Sequence, residues 1–383
     1  MNIIKKLVIL IILVILSIII YHLMATRRAI KAAYNIEGFR EGAIFTADTI
    51  EQELASVKVS DVPASTTDAQ NTSLPLKQYC IKGAFNAALT GKFVNTEMIK
   101  YVFYRGCRYL DFEVFSFDGV PYVAASTDNT YSTIDTTNKI TLSEILSTVN
   151  TYAFSAPSSI QKDPVFVNLR IKTNQTDLYN SIAKIIENTI KPKMYVDKSG
   201  DAIKVDGDTI LSAISRKIIV VVDKSYIINE NYAKLAKLAN IESGYEKFRK
   251  YGYSEISSQQ YTTPFINKNG ITTDVSIIKI VMPDIGINWL GLSRNNIYYP
   301  MVLNYGAQIV LYPFYKVDLY LGDYEKAFAS SKDKPGAGFV PIGSMITYLK
   351  GELGGDSSVS LDSTTPAAVP TPGAKSSGST AKK

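Results

Sequence analysis

The residues of this chain best suited to chemistry are two acids, Asp111 and Glu113, set two apart in the apolar stretch Tyr109-Leu-Asp-Phe-Glu-Val-Phe115. Side chains two apart on a strand point to the same face, so the two carboxylates stand together. Such a pair suits a hard cation or, if one pKa is raised, an acid or base role. Nothing in the sequence marks either acid as shifted. Histidine, the side chain that titrates near neutral pH, occurs once in 383 residues, as His22 inside an apolar N-terminal run. Imidazole acid–base chemistry is therefore absent from the rest of the chain.

Alternating strands and helices must position these acids. Cys107–Phe115 and Pro164–Ile171 are short runs rich in Val, Phe and Leu, and Lys217-Ile-Ile-Val-Val-Val-Asp223 is nearly continuous aliphatic, as expected for strands covered on both faces. Val275–Val281 and Gln308–Phe314 are two more candidates. Asn95 caps a helix ending at Gly106, and Thr141-Leu-Ser-Glu144 is a capping box ahead of Ile145, Val149 and Tyr152. Leu178, Ile182, Ile185 and Ile186 form a further apolar stripe, closed by Pro192. Strands separated by helices imply parallel pairing and right-handed crossovers. About six strands stand out by pattern, and the polar, Tyr/Asn/Lys-rich stretch from Tyr226 to Asp274 either holds the rest or is an insertion.

A chain of this length with 46% hydrophobic and 20% charged residues holds one large domain of α/β-barrel size, with tails to spare. Its net charge of +6, without a long Lys/Arg block, describes a solvated surface and no nucleic-acid partner. Leu7 to Met24 is a nearly uncharged run flanked by Lys5-Lys6 and by Arg27-Arg28 and Lys31. It is close to the minimum for a membrane-spanning helix of about 20 residues. Its length, and the lack of a small-x-small site before a polar start, favour an uncleaved single-pass anchor over a signal peptide. Orientation stays open, because both flanks are basic. Residues 1–31 are thus read as the anchor, 32–73 as a polar linker, part helical, 74–353 as the folded domain, and 354–383 as a disordered tail.

Two blocks resemble a known family. Tyr79-Cys-Ile-Lys-Gly-Ala-Phe-Asn86, Gly106-Cys-Arg108, Tyr152-Ala-Phe154 and Pro164-Val-Phe-Val-Asn-Leu169 occur in the order found in the first half of phosphatidylinositol-specific phospholipase C. Tyr298-Tyr-Pro300, Asn304-Tyr-Gly-Ala-Gln-Ile-Val310 and Asp318-Leu319 are similar to its second half. The resemblance implies an α/β fold, a TIM-type (β/α) barrel of the PLC-like phosphodiesterase kind, preceded here by the transmembrane helix. Residues 74–190 would form the X-like half, 191–274 a middle or insertion, and 275–353 the Y-like half.

That family cleaves a phosphodiester with two histidines and calcium. Here Phe85 stands at the first histidine, and Ala125 or a neighbour within Pro121–Ser126 at the second, while Asn86 keeps the adjacent metal-binding asparagine. Asp111 and Glu113 fall on the acidic pair that coordinates calcium, but the third acid aligns with Arg170. Two carboxylates with an arginine carry the same net charge as three carboxylates with Ca²⁺. Arg170 is therefore expected to replace the cation and bridge Asp111 and Glu113, with calcium binding lost. The plainer alternative is a set of buried ion pairs at a barrel rim. Lys224 lies near where the family places phosphate-binding lysines, a solvated lysine being the alternative. Cys80 and Cys107 would sit on neighbouring strands, so a disulfide is conceivable in an oxidising compartment. Trp289 is read as a membrane-touching rim residue or a core or loop aromatic.

The expectation is a membrane-anchored, catalytically degenerate phospholipase C-like module that binds a phosphoinositide or inositol phosphate headgroup or a protein, or serves structurally. The alternative is an active phosphoric diester hydrolase with a non-histidine acid and base.

Overall fold

The computed structural model describes residues 49–57, 62–126, 134–173, 175–227, 232–244, 247–258, 266–267, 270–271, 277–284, 295–331 and 336–354. The expected anchor at 1–31, Trp289 and the tail beyond 354 lie outside the described residues. Among those described, no helix is long and apolar enough to cross a membrane.

The strands are β1 (Tyr79–Ala84), β2 (Tyr109–Phe117), β3 (Val120–Val123), β4 (Ile140–Thr141), β5 (Val165–Lys172), β6 (Ile218–Asp223), β7 (Ile241–Ser243), β8 (Phe248–Gly252), β9 (Ile266–Asn267), β10 (Gly270–Ile271), β11 (Ile278–Met282), β12 (Ile309–Tyr312) and β13 (Phe339–Pro341). Eight of them pair in the order β7-β6-β5-β2-β1-β12-β11-β8, every pairing on that path parallel. A parallel bridge between Gly244 and Arg249 joins the ends of the path, leaving a nearly closed barrel. The helix α1 (Ile50–Val57) precedes the strands, α2 (Thr96–Tyr104), α3 (Leu142–Tyr152), α4 (Thr176–Thr189), α5 (Ala233–Leu238), α6 (Tyr253–Ser258), α7 (Tyr298–Leu303) and α8 (Leu319–Phe328) run between them, and α9 (Ile342–Gly354) follows β13. Asn95 and Thr141 cap α2 and α3 by accepting from the Glu97 and Glu144 amides, as their sequence pattern predicts.

The core has two shells. Inside the barrel, Tyr79, Ile81, Tyr109, Phe166, Ile219, Val221, Phe248, Ile280 and Leu311 face one another, with Tyr109 stacked on Phe166 at 5.8 Å. Outside it, the alternate residues of the same strands meet the helices: Cys80, Leu110, Phe112, Val167, Leu169, Val220 and Val222 pack against Val102, Leu146 and Ile182. Two buried faces explain why β6 reads as a nearly continuous apolar run and why every residue of β5 is buried, Asn168, Arg170 and Lys172 included.

Three expectations are amended. Within 191–274, β6, β7 and β8 belong to the barrel, while β9 and β10 pair with each other in a separate two-stranded sheet; Ile241-Glu-Ser243 and Phe248-Arg-Lys-Tyr-Gly252 are too short and polar to announce themselves. The stretch 62–73, read as linker, is bonded to the barrel: Thr66 and Thr67 amides donate to the Gly336 carbonyl, Ala69 to the Asp163 carboxylate, and Ser65 is fully buried. Thr66, Thr67 and residues 70–73 stay exposed, so polar side chains face solvent while the backbone bonds the barrel. Cys80 and Cys107 are free, buried thiols, both pushed up to about 12 by burial.

One side chain of α8 ties β1 to β12. The Tyr324 hydroxyl accepts from the Gly83 amide at 2.7 Å and donates to the Val310 carbonyl at 2.9 Å, and its ring stacks on Tyr312 at 4.1 Å. Gly83 admits no side chain, because a Cβ would lie 2.4 Å from Leu311 Cδ2. Tyr324→Phe keeps the stacking but strips both hydrogen bonds from a buried seam, and should cost about 1–3 kcal/mol in denaturant unfolding.

Candidate functional site

Strand register builds the site. The pairing of β2 with β5 sets Asp111 opposite Asn168, Glu113 opposite Arg170 and Phe115 opposite Lys172. Because these positions alternate with outward apolar residues, Asp111, Glu113, Asn168, Arg170 and Lys172 all enter the barrel at the carboxyl ends of its strands. Asp223 ends β6 on the same inward face as Ile219 and Val221, and Lys250 follows Phe248 on β8.

Arg170 is the hub. Its Nε and Nη2 donate to Asp111 Oδ1 and Oδ2 at 2.9 and 2.8 Å, a fork-to-fork pair. Nη1 reaches Glu113 Oε1 at 3.0 Å, and Nη2 also meets Asn86 Oδ1 at 2.7 Å. The carboxylates are bonded further. Asp111 accepts from Asn168 Nδ2 at 2.8 Å and from the Asn86 amide at 3.1 Å; Glu113 pairs with Lys172 Nζ at 2.5 Å and accepts from the Ser126 amide at 3.2 Å. Asp111 and Arg170 are 0% exposed and Glu113 1%. Burial opposes the Arg170 charge, but Asp111 and Glu113 outweigh it and hold the guanidinium protonated, well above its ordinary range.

A second pair abuts the first. Lys250 Nζ lies 2.8 Å from Asp223 Oδ2, and Asp223 Oδ1 accepts from the Ser225 amide and hydroxyl. Burial lowers the Lys250 pKa against the pull of Asp223. Aromatic rings lie over the cations: Phe85 is 4.7 Å from Arg170 Cζ, and Tyr226 is 4.2 Å from Lys250 Nζ and 5.9 Å from that of Lys172. Asp111, Glu113 and Asp223 thus balance Arg170, Lys172 and Lys250.

Among the residues singled out from the sequence, Asn86, Asp111, Glu113 and Arg170 come together. Lys224 does not join them: it is partly exposed and pairs with Glu242 Oε2 at 3.1 Å, which raises its pKa. The cations added by the structure are Lys172 and Lys250. Lys172 was legible, being two past Arg170 on one strand; Lys250 was hidden with its unrecognised strand. The two positions aligned with histidines flank the hub. Phe85 covers Arg170, and Ala125 lies between Ala124, whose amide bonds the Glu113 carbonyl, and Ser126.

Calcium does not fit these residues. It takes about six to eight oxygens, whereas the Asp111 and Glu113 oxygens are committed to Arg170, Lys172 and amide donors. No group of three or more His, Cys, Asp or Glu among the described residues could hold a metal.

The nearly closed parallel α/β barrel, with polar residues at the carboxyl ends of its strands, has the TIM-barrel fold seen in phosphatidylinositol-specific phospholipase C. Residues 72–224 match the family model described as phosphatidylinositol-specific phospholipase C, X domain. No curated protein matches the chain in sequence. The crystal structure of L. pealei PLC21 is similar over 72% of this chain at TM-score 0.51 and 16% identity, and that of S. officinalis PLC21 over 67% at TM-score 0.50 and 16% identity. The chain spans 40% and 36% of those two proteins. A calcium-dependent phosphoinositol-specific phospholipase C from Pseudomonas sp. is 12% identical, with 72% of this chain and 98% of that one covered, at TM-score 0.45.

Arg170→Met keeps bulk but leaves two buried carboxylates without their shared cation. It should destabilise the fold by about 3–5 kcal/mol in denaturant unfolding; a loss under about 1 kcal/mol would mean that water reaches the pair.

Proposed function

We propose that the barrel is a catalytically degenerate phospholipase C-like module, held at a membrane by its N-terminal run, that acts by binding rather than by turnover. One observation carries this reading: the guanidinium of Arg170 sits bonded between Asp111 and Glu113, in the part of the site where the family's chemistry needs a metal. A protonated arginine supplies neither a proton acceptor near neutral pH nor an exchangeable coordination site. Phe85 and Ala125 cannot transfer protons either. An anionic headgroup would meet Lys250 and Tyr226 at the edge of the mouth, not Arg170 at its buried centre. The alternative, a hydrolase with a carboxylate acid and base, is disfavoured because Asp111, Glu113 and Asp223 are each paired with a cation.

Full-length protein given vesicles containing phosphatidylinositol, with calcium, should release no inositol phosphate above a protein-free control. Calcium should also leave its melting temperature unchanged, whereas a ligand at hundredfold excess over its Kd would add roughly 2.7 kcal/mol. Turnover that disappears on Asp111→Ala would overturn the proposal.

Membrane attachment is tested separately. The full chain should stay in the pellet after salt and after alkaline carbonate, while a truncation starting at Thr49, which keeps the barrel-bound arm, should be soluble. Attachment through basic flanks alone would be released by salt, which screens beyond about 10 Å at 0.1 M. Full-length protein in the carbonate supernatant would refute the anchor.

A further inference from the structure

Glu53 is fully buried, yet it sits in an eight-residue helix between exposed Glu51, Gln52 and Ala55. We propose that the loop Thr90–Phe93 is a carboxylate-binding nest, that its occupant is Glu53 from the chain's own N-terminal arm, and that this clasp holds in place the cover over Arg170.

The loop aims three donors at one anion. Glu53 Oε2 accepts from Thr90 Oγ1 at 2.8 Å and from the Phe93 amide at 3.3 Å, and both carboxylate oxygens lie 3.0 Å from the Lys92 amide. Between these donors Gly91 has φ +144°, and a Cβ there would lie 3.2 Å from both carboxylate oxygens. A turn of this kind, with successive donors pointing inward and no side chain in the way, is an anion receptor made of backbone.

The helix depends on the contact. Thr49 and Gln52 cap α1 reciprocally, each side chain reaching the other's amide at 3.3 Å. Eight residues are nevertheless too few to hold a helix in water. Its buried attachments are Glu53 and, one turn on, Val57 at 1% exposure, with Leu54 partly buried beside them. Losing the carboxylate contact should therefore unfold α1 as well as free the loop.

The same loop reaches the mouth. The Leu89–Val94 bridge and the Asn95 amide bond to the Ala88 carbonyl, at 2.7 Å, close it. At its base the Ala87 amide donates to the Asp111 carbonyl at 2.8 Å and the Asn86 amide to Asp111 Oδ2 at 3.1 Å, with Phe85 over Arg170. One short segment thus carries the nest at its tip and the cover at its root. The clasp stands independently of whether the barrel turns over substrate.

Hydrogen exchange of the full chain, wild type against Glu53→Gln, tests this. The amides of 51–57 and 90–95 should exchange about tenfold faster or more, as expected on losing hydrogen bonds to a charged acceptor. The Asn86 and Ala87 amides should speed up with them, while β5 and β6 keep their protection. Faster exchange in α1 alone, or no change at all, would overturn the clasp. Should Glu53→Gln also expose β5 and β6, Thr90→Val, which deletes only the hydroxyl donor, is read in its place. It should produce a smaller rise at 51–57 and at 86–87, and unchanged exchange there would equally overturn the proposal.

Discussion

Two carboxylates taken out of water side by side need a positive charge between them, and the mouth of this barrel is arranged around that need. Leaving either acid unpaired at full burial would cost several kcal/mol. The β2–β5 register meets the requirement geometrically, because it sets Arg170 opposite Glu113 and one step from Asp111. A planar guanidinium then engages both acids at once, which a lysine ammonium could not do with the same directional fit. Once that bridge exists, Lys172 settles on Glu113, and Asp223 with Lys250 forms a self-balanced neighbour. The cluster is neutral in sum, which lets it stay dry beneath Phe85.

A second buried ion cluster does comparable work outside the barrel. Lys82 points away from the interior and donates to the Arg105 carbonyl at 2.8 Å and to Ser65 Oγ at 3.3 Å, while Arg105 Nε pairs with Glu325 at 2.6 Å and its Nη2 bonds the Val62 carbonyl. Val62 and Ser65 belong to the N-terminal arm. The arm is therefore fastened near the amino ends of the strands by Ser65 to Ala69, and by Glu53 to the loop that follows β1 at its carboxyl end. This segment rich in Ser, Thr and Asp is held by hydrogen bonds from its Thr66, Thr67 and Ala69 amides and to its Val62 and Ser65 carbonyls.

The sequence made legible whatever depends on local pattern. A run rich in Val, Phe and Leu marked β5 and a nearly continuous aliphatic one β6, capping residues marked the starts of α2 and α3, and the two-residue spacing of Asp111 and Glu113 marked their common face. Arg170 was found through the family resemblance, since nothing local distinguishes Asn168-Leu-Arg170 from another strand end. What stayed hidden depends on distant partners. Ile241–Ser243 becomes a strand only because β6 offers an edge to pair with, so Lys250 on the following strand could not be placed. Lys224 was nominated by position, but one step along the chain turns a side chain away from the mouth, and it pairs with Glu242 instead. Glu53 carried no signal, since an acid in a polar, amphipathic segment reads as solvated until the loop that receives it is known.

The barrel and the polar cluster at its mouth make separate demands on the sequence. A parallel barrel is held by its two apolar shells and its strand register, and here the register also runs through the charged strand ends, where Glu113 pairs with Arg170. Those ends need only be electrically balanced and hydrogen-bonded. A bound cation can do this, and so can an internal one, with the difference that the internal charge is tethered and cannot leave. Replacing Phe85 with histidine would leave this arrangement in place. Arg170 would still be forked onto Asp111 and bonded to Asn86, and the site between the acids would remain filled by a charge that repels any incoming cation. The position between the acids is therefore occupied by Arg170 whatever side chain stands at 85.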